Sequence, residues 1–359
     1  MSAVLDTPHT APVAAAAAAV TPMSPNQRAW ARFKRNRLGY VCLWIFGVLL
    51  LLTTAAELIS NDRPLLARIN GQWYVPVFAN PSERALGGDF DTPTEWKDPF
   101  TTDLLAKPGN LAVFTLNPHS ADSLDYFDKA LPPAPPSARN YLGTDSKARD
   151  LLARLIYGFR VSVWFALALT FVGMSLGVLM GAMQGYFGGK VDLLLQRLIE
   201  IWGALPELYL LIIFASIFEP SLLLLLVLLS LFGWIGLSDY VRAEFLRNRS
   251  LEYVKAARAL GLSNFQIIWR HVLPNSLTPV ITFLPFRMGT AILALTSLDF
   301  LGLGVPPSMA SLGELLKLGK ENLDAWWIIV STFVLLVGTM MLLTLIGDAL
   351  RDAFDTRKS

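Results

Sequence analysis

The side chains that most often do chemistry are sparse in this sequence and do not converge. The histidines His9, His119 and His271 lie far apart in segments of different character, so neither a metal cluster nor a nucleophilic triad can be assembled from them. Cys42 is the one cysteine, which excludes an intrachain disulfide and a thiolate metal cluster; its apolar neighbours make it a packed membrane-helix residue. A phosphate-cradling loop needs glycine at its first place and Ser or Thr after its lysine. The glycine-rich approach to Gly189-Lys190 has Gln184 at that first place and Val191 after the lysine, so the chain has no nucleotide site of its own. It reads as a non-catalytic protein without a cofactor.

Charge in apolar surroundings is the chemistry that remains. Arg287 and Glu207 interrupt long hydrophobic runs, and Glu200 precedes Glu207 by two helical turns. A charge at the bilayer centre costs about 2.5 to 3.5 kcal/mol on insertion scales, so it must face protein or water. Two readings stand for Arg287 and Glu207: they border a translocation path for a solute with charged termini, or they form a static interhelix ion pair. Asp299, followed by Leu301-Gly302-Leu303-Gly304 and Pro306-Pro307, reads as a cap or turn residue.

The elements that must position these residues follow from composition. Of the 359 residues 53% are hydrophobic and only 16% charged, and the mean hydropathy is +0.47. Soluble domains carry about 25% charged residues, so the polar groups needed to cover a water-exposed surface are missing and a cytosolic globular enzyme is excluded. Thirty basic against 28 acidic residues give +2, without the strongly basic face of a nucleic-acid binder. About 20 apolar residues span the hydrocarbon as a helix. Six such runs occur: Tyr40 to Ile59, Val161 to Met183, Leu198 to Phe218, Leu222 to Leu237, Leu277 to Ser297 and Trp326 to Ile346. The expected fold is an all-α polytopic membrane protein with six transmembrane helices and a small extracytoplasmic domain between the first two.

Orientation follows from basic flanks, which are in excess on the cytoplasmic side. Arg28, Arg32, Lys34, Arg35 and Arg37 precede the first run; Arg242, Arg247, Arg249, Lys255, Arg258 and Arg270 follow the fourth; Arg351, Arg357 and Lys358 follow the sixth. Both termini are therefore expected to be cytoplasmic. The stretch from Met1 to Met23, with an alanine run at Ala14 to Ala19, lacks the basic start of a secretory signal and reads as a disordered tail, taken to residue 27. Residues 60–140 form the outer domain, where Trp73, Tyr74, Phe78, Trp96, Phe100, Phe114, Tyr126 and Phe127 supply a core. Alternation predicts strands at Gln72 to Phe78 and Leu111 to Leu116, and Pro132, Pro133, Pro135 and Pro136 read as a stiff spacer. Residues 141–355 form the remaining core, with a cytoplasmic loop at 240–275 and a short tail at 356–359.

That loop carries the mechanism. Ser250 is a candidate N-cap, Gly261 can take the left-handed conformation that ends a helix, and Ser263 with Gln266 forms a capping box for a second helix, which Pro274 is expected to end. The pattern is helix, glycine elbow, helix, with small Ala256 and Ala257 leaving backbone and Leu260 open to a close-fitting partner. A basic loop lying on anionic lipid is the other reading.

The segment resembles the cytoplasmic signature of ATP-binding-cassette importer permeases, in which an E-A-A triplet precedes a glycine and an L-P pair follows. Ala256, Ala257, Gly261, Leu273 and Pro274 keep that spacing; Lys255 replaces the acid. Leu142-Gly143-Thr144-Asp145 with Arg149-Asp150 and Tyr157-Gly158, Gly185-Tyr186-Phe187-Gly188-Gly189 with Asp192, Ser297 to Gly304, and Gly347 to Asp352 resemble the peptide and nickel branch, which usually has glycine where Ala148 stands. The enlarged outer domain with Gln72-Trp73-Tyr74 and Trp96-Lys97-Asp98-Pro99, and Asn26 to Phe33, are similar to the Yej-type permeases, implicated in uptake of oligopeptides and the peptide-nucleotide antibiotic microcin C. The resemblance implies a type I importer permease of the bacterial inner membrane. Its implied partners are a second homologous permease, an ATPase with both domains in one chain that binds ATP and Mg, a periplasmic substrate-binding protein and a peptide substrate. The elbow would be the coupling helix, with Ala256, Ala257, Leu260, Gly261, Leu262 and Ser263 seated in a groove of the ATPase. A gradient-driven secondary transporter or channel is the alternative; it would need clustered intramembrane carboxylates or inverted repeats, and only Glu200 and Glu207 are found.

Overall fold

The computed structural model describes residues 25–124, 131–306 and 308–355. The expected tail at Met1 to Met23 with His9, and Tyr126, Phe127, Pro307, Arg357 and Lys358, lie outside the described residues. The chain opens with α1 (Pro25–Arg35) and α2 (Arg37–Thr54); Asn36 caps α2 by accepting a hydrogen bond from the Gly39 amide (3.1 Å). The helix is interrupted at Ala55, and a single turn, α3 (Ala56–Ile59), completes the first apolar run. Cys42 is buried in the bundle, as its neighbours require.

A small sheet follows, formed by β1 (Leu66–Ile69), β2 (Gln72–Tyr74) and, after α4 (Pro99–Leu105), β3 (Leu111–Val113), all antiparallel in the order β2-β1-β3. The expected strands are present but shorter. Pro76 has no amide to donate to a ladder, so β2 stops before it. The central strand β1 is missing from the sequence reading, although Asn70 (φ 51) and Gly71 (φ 83) between Ile69 and Gln72 form a two-residue hairpin of the Asn-Gly kind. Ala67, Ile69, Leu86, Trp96 and Leu104 fill the core, with Tyr74, Phe100 and Phe114 against it. Trp73 and Phe78, expected inside, are exposed; pleat alternation turns Trp73 outward, where Arg68 lies 5.7 Å from its ring. Nor is the proline segment a free spacer. Ala134 is buried, and its amide and carbonyl are both bonded to Thr144 (2.8 and 2.9 Å).

The bundle consists of α5 (Leu151–Phe187), α6 (Gly189–Gly203), α7 (Glu207–Ile217), α8 (Leu222–Gly233), α9 (Ile235–Asn248), α10 (Glu252–Ala259), α11 (Asn264–Ile267), α12 (Leu273–Ile281), α13 (Leu284–Phe300), α14 (Leu312–Glu321) and α15 (Trp326–Phe354). Among the described residues four helical units are long and apolar enough to cross a membrane, α2, α5, α8–α9 and α15. The count reaches six if two bent pairs are each one span: α6 with α7 at 65°, and Asn264–Ile281 with α13 at 58°. Pro206 and Pro285 stand at these bends, where a missing amide and ring clash break the helix. The helix expected from Val161 instead starts at Leu151 and runs 37 residues, about 55 Å at 1.5 Å per residue.

Glycines at intervals of four let α5 lie against α9. A Cβ on Gly177, Gly181 or Gly185 would meet the Trp234, Ser238 or Arg242 carbonyl oxygen at 3.0, 2.5 or 2.6 Å, so only hydrogen fits. Both helices advance in the same direction along this seam, since 177, 181 and 185 meet 234, 238 and 242 in turn. At the opposite end of α5, Asp150 caps the helix by accepting from the Ala153 amide (2.7 Å) and also accepts from Asn117 (2.8 Å) and Asn140 (3.0 Å), joining the sheet segment to the bundle.

Beside that cap lies a charged cluster absent from the sequence reading except for Asp145 and Arg149. Arg149 donates to Asp145 (2.7 Å) and to Glu314 of α14 (3.1 Å), and the fully buried Arg154 donates to Glu314 and to the Ala121 and Met309 carbonyls. Burial pushes the Glu314 carboxyl upward, but the Arg154 and Arg149 guanidiniums outweigh it and hold the group below the usual carboxylate range. Asp299 is a turn residue as read. It accepts from the Val305 amide (2.8 Å) and the Ser311 hydroxyl, and glycine at 304 and 313 leaves room for it.

Two substitutions test this frame. Ala148 is buried with φ +61. Left-handed backbone costs a non-glycine residue about 1 to 2 kcal/mol, while the buried methyl returns about 0.8 kcal/mol. Ala148→Gly is therefore expected within about 1 kcal/mol of wild type and Ala148→Val about 2 kcal/mol or more below it, by thermal unfolding in detergent. Gly181→Leu, which drives a side chain into the Ser238 carbonyl, is expected to abolish folded yield by size-exclusion chromatography, with Gly181→Ala intermediate.

Candidate functional site

The elbow begins where α9 ends. Ser250 does not cap α10; its hydroxyl donates to the Arg247 carbonyl (2.7 Å) in the turn between the helices, and Leu251 occupies the cap position without a side-chain bond. Lys255 pairs with Glu252 of its own helix (2.9 Å) on the exposed side. Gly261 ends α10 at φ +81. Its amide reaches the Arg258 carbonyl (3.0 Å) and the Leu262 amide reaches Ala257 (3.2 Å), the paired bonds of a Schellman motif. The expected capping box is present: Ser263 accepts from the Gln266 amide (3.3 Å) and donates its own to the Gln266 side chain (3.0 Å).

Pro274 does not end the second helix. A π-helical stretch, Ile268–Val272, precedes it, and the helix passes through to Ile281. The wider turn carries the chain past a ring that would otherwise clash with the carbonyl four residues back.

The elbow is anchored to the bundle on one face and open on the other. Val254, Ala257, Ile267 and Val272 are buried with Ala182, Tyr186, Leu237, Val241, Phe245 and Val280, and Leu262 packs against them. Tyr186 donates to Asn264 (2.9 Å), Asn248 to Ser276 (2.8 Å) and Asn275 to Tyr253 (3.2 Å), tying α11 and α12 to the ends of α5, α9 and α10. Of the residues read as coupling residues, Ala256, Leu260, Gly261 and Ser263 are exposed, with Leu260 at 82%; Ala257 and Leu262 face inward and hold the elbow's shape. The sequence reading omits Phe265 and Trp269, which stack at 6.2 Å and are both exposed. Their spacing of four, on one helix face, was the available signal.

Arg287 and Glu207 are not brought together. Arg287 donates to the Gly233 carbonyl at the junction of α8 and α9, and a Cβ on Gly173 would lie 3.0 Å from its guanidinium. The neighbouring Leu231 carbonyl accepts from the Trp202 and Trp234 indoles (2.9 and 2.8 Å), so side chains satisfy the backbone freed at that junction. Glu207 opens α7 at the 65° bend with no cationic partner among the described residues, and Glu200 pairs with Arg197. The static Arg287–Glu207 pair is thereby ruled out within this chain. His119 lies against Lys97 (3.0 Å) and the Arg139 carbonyl (3.2 Å), and no group of three metal-binding side chains occurs among the described residues.

The elbow lies at the C-terminal end of α5 and the sheet segment at its N-terminal end. α1 packs on the end of α15, where Arg32 donates to the Asp355 carbonyl (3.1 Å) and Phe33 packs on Ala349 and Ala353.

Comparison with known proteins supplies the family. A family model described as "Binding-protein-dependent transport system inner membrane component" matches residues 173–359, and one described as "N-terminal TM domain of oligopeptide transport permease C" matches residues 24–73. The chain is 47% identical over 338 residues to the inner membrane ABC transporter permease protein YejE of Escherichia coli (strain K12), covering 94% of this chain and 99% of that one. It is 45% identical over 356 residues to the peptidoglycan transport system permease protein YejE of Agrobacterium fabrum, covering 93% of each. With the dipeptide transport system permease protein DppC of Bacillus subtilis (strain 168) it shares 32% over 244 residues, 67% of this chain and 75% of the other. A glycine-terminated elbow projecting from a helical membrane bundle, with matches across nearly the whole length, makes this chain a member of the binding-protein-dependent inner membrane components, the non-catalytic permease subunits of ATP-binding-cassette systems.

Proposed function

We propose that this chain is one half of an importer for oligopeptides or peptide conjugates, microcin C-like compounds and peptide-bearing wall fragments among them. In this reading a partner ATPase, both of whose domains lie in one polypeptide, grips the elbow on the cytoplasmic side. A second, homologous permease completes the membrane cavity, and a periplasmic binding protein delivers solute at the end that carries the sheet segment. Both termini are then cytoplasmic. The names of the relatives from Agrobacterium fabrum and Bacillus subtilis, which refer to peptidoglycan and dipeptides, support a peptide-bearing solute. A gradient-driven transporter is not favoured, because the family works with an ATPase and Glu200 is already paired with Arg197.

One observation carries the mechanical part: the elbow is bonded through Tyr186 and Asn264 to α5 and through Asn248 and Ser276 to α9 and α12, while Leu260 stands free at its tip. A force on Ala256, Leu260, Gly261 or Ser263 is thus transmitted through Ala257 and Leu262 to the spanning helices. Coupling further requires that ATP and solute bind the inward and outward states with different affinity. Arg287 and Glu207, at the α8–α9 junction and the α7 bend, are assigned to the path, where each offers a charge to one terminus of a peptide.

Gly261→Trp, which forces a large side chain into left-handed backbone, is expected to reduce co-purification of the ATPase and solute uptake by about tenfold or more while the permease still inserts. Unchanged assembly and uptake would remove the elbow from coupling. Arg287→Gln is expected to lower peptide-stimulated ATP hydrolysis in nanodiscs about tenfold with assembly intact; wild-type stimulation and transport would remove Arg287 from the path.

A further inference from the structure

A polar cleft beside the elbow serves none of the roles above. It encloses about 360 Å³ and is lined by Tyr186, Phe187, Arg249, Ser250, Arg258 and Asn264. Arg249 donates one N–H to the Tyr186 carbonyl (3.1 Å), and the Arg258 guanidinium lies 5.9 Å from the Tyr186 ring. A guanidinium has five donors in a fork that matches a phosphate, so both side chains keep donors to spare.

Neither guanidinium makes a direct ion pair with a carboxylate among the described residues. Of the carboxylates on the adjoining elements, Asp192 accepts two bonds from Arg242 (2.5 and 2.7 Å), Glu244 pairs with Arg247 (2.8 Å), Glu252 pairs with Lys255 (2.9 Å), and Asp239 accepts from Gln196 (3.2 Å). Arg249 acts on Asp192 through space, but Arg242 holds both oxygens of that carboxylate, so positive charge is in excess along the cleft.

Depth narrows the ligand. On the span read from the sequence, Val161 to Met183, Tyr186 and Phe187 lie three and four residues past its end, about 5 Å along the helix. That is the layer of lipid phosphates, and basic pockets between spanning helices take anionic headgroups there.

We propose that this cleft binds a phosphate group between Arg249 and Arg258, supplied by an anionic phospholipid headgroup or by a soluble phosphate. Tyr186, which bonds Asn264 at the start of α11, forms part of the wall, so occupancy stiffens the joint between α5 and the elbow. The proposal does not depend on the identity of the transported solute.

The test uses the full-length chain, delipidated in detergent and titrated separately with cardiolipin, phosphatidylcholine and inorganic phosphate. Bound lipid is counted by native mass spectrometry, and the unfolding midpoint is followed by tryptophan fluorescence. Wild type is expected to retain cardiolipin and to gain thermal stability with it but not with phosphatidylcholine. Arg258→Gln, whose side chain is exposed and outside the core, is expected to weaken that binding by about tenfold, and Arg249→Gln with Arg258→Gln to remove it. Stabilisation by inorganic phosphate alone, lost in the same variants, supports the site and assigns a soluble source. Equal lipid and phosphate binding by wild type and Arg258→Gln overturns the proposal. So does a loss confined to co-purification of the ATPase, which would make the arginines part of a protein interface.

Discussion

Because Gly177, Gly181 and Gly185 have no side chain, α5 and α9 approach until the carbonyls of Trp234, Ser238 and Arg242 occupy the space a Cβ would need. Lipid supplies no hydrophobic drive for helices to associate, so close backbone packing and interhelical hydrogen bonds must do it. The Gln184 amide adds such a bond to Ser238 (3.0 Å) along the same seam, and Gln196 of α6 donates to Gln184 (2.8 Å) beside it. The sheet segment and the elbow are both referenced to this pair of helices. Asp150, Arg149 and Arg154 hang the sheet segment and α14 on the start of α5, while Tyr186 and Asn264 fix the elbow to its end.

The same lipid constraint explains the interruptions. A spanning helix that bends exposes carbonyls that water cannot reach, and each must find a donor in the protein. At the α8–α9 junction the donors are Trp202, Trp234 and Arg287. The guanidinium that looks in sequence like an isolated membrane charge therefore already has a structural duty, and any role in a path is added to it. Two bends, at 65° and 58°, separate helices that each keep their own internal hydrogen bonds.

The charged cluster around Glu314 differs in kind from the elbow. Arg154 and Asp145 are wholly buried, and removal of one partner from such a group leaves a charge without compensation, so the cluster behaves as a rigid clamp between distant segments. The elbow is rigid on its inner face alone. Leu260, Phe265 and Trp269 stay open because the residues that give the turn its shape, Gly261 and the Ser263–Gln266 box, are satisfied by bonds within the turn itself.

Local chemistry explains what the sequence alone determined. Spanning runs follow from residue-by-residue transfer cost, and the turn at Gly261, the box at Ser263 and the Asp299 turn each depend on atoms a few positions apart, so all were legible without coordinates. Asn70-Gly71 and the four-residue glycine interval are local patterns of the same kind. What only the tertiary structure decided involves partners far apart in the chain: Glu314 meeting Arg149 and Arg154, Arg287 finding the Gly233 carbonyl in place of Glu207, and Pro274 riding through a helix on a π turn. No local pattern encodes these, because a side chain's partner is set by which helices pack side by side, and that is a property of the whole bundle's backbone spacing.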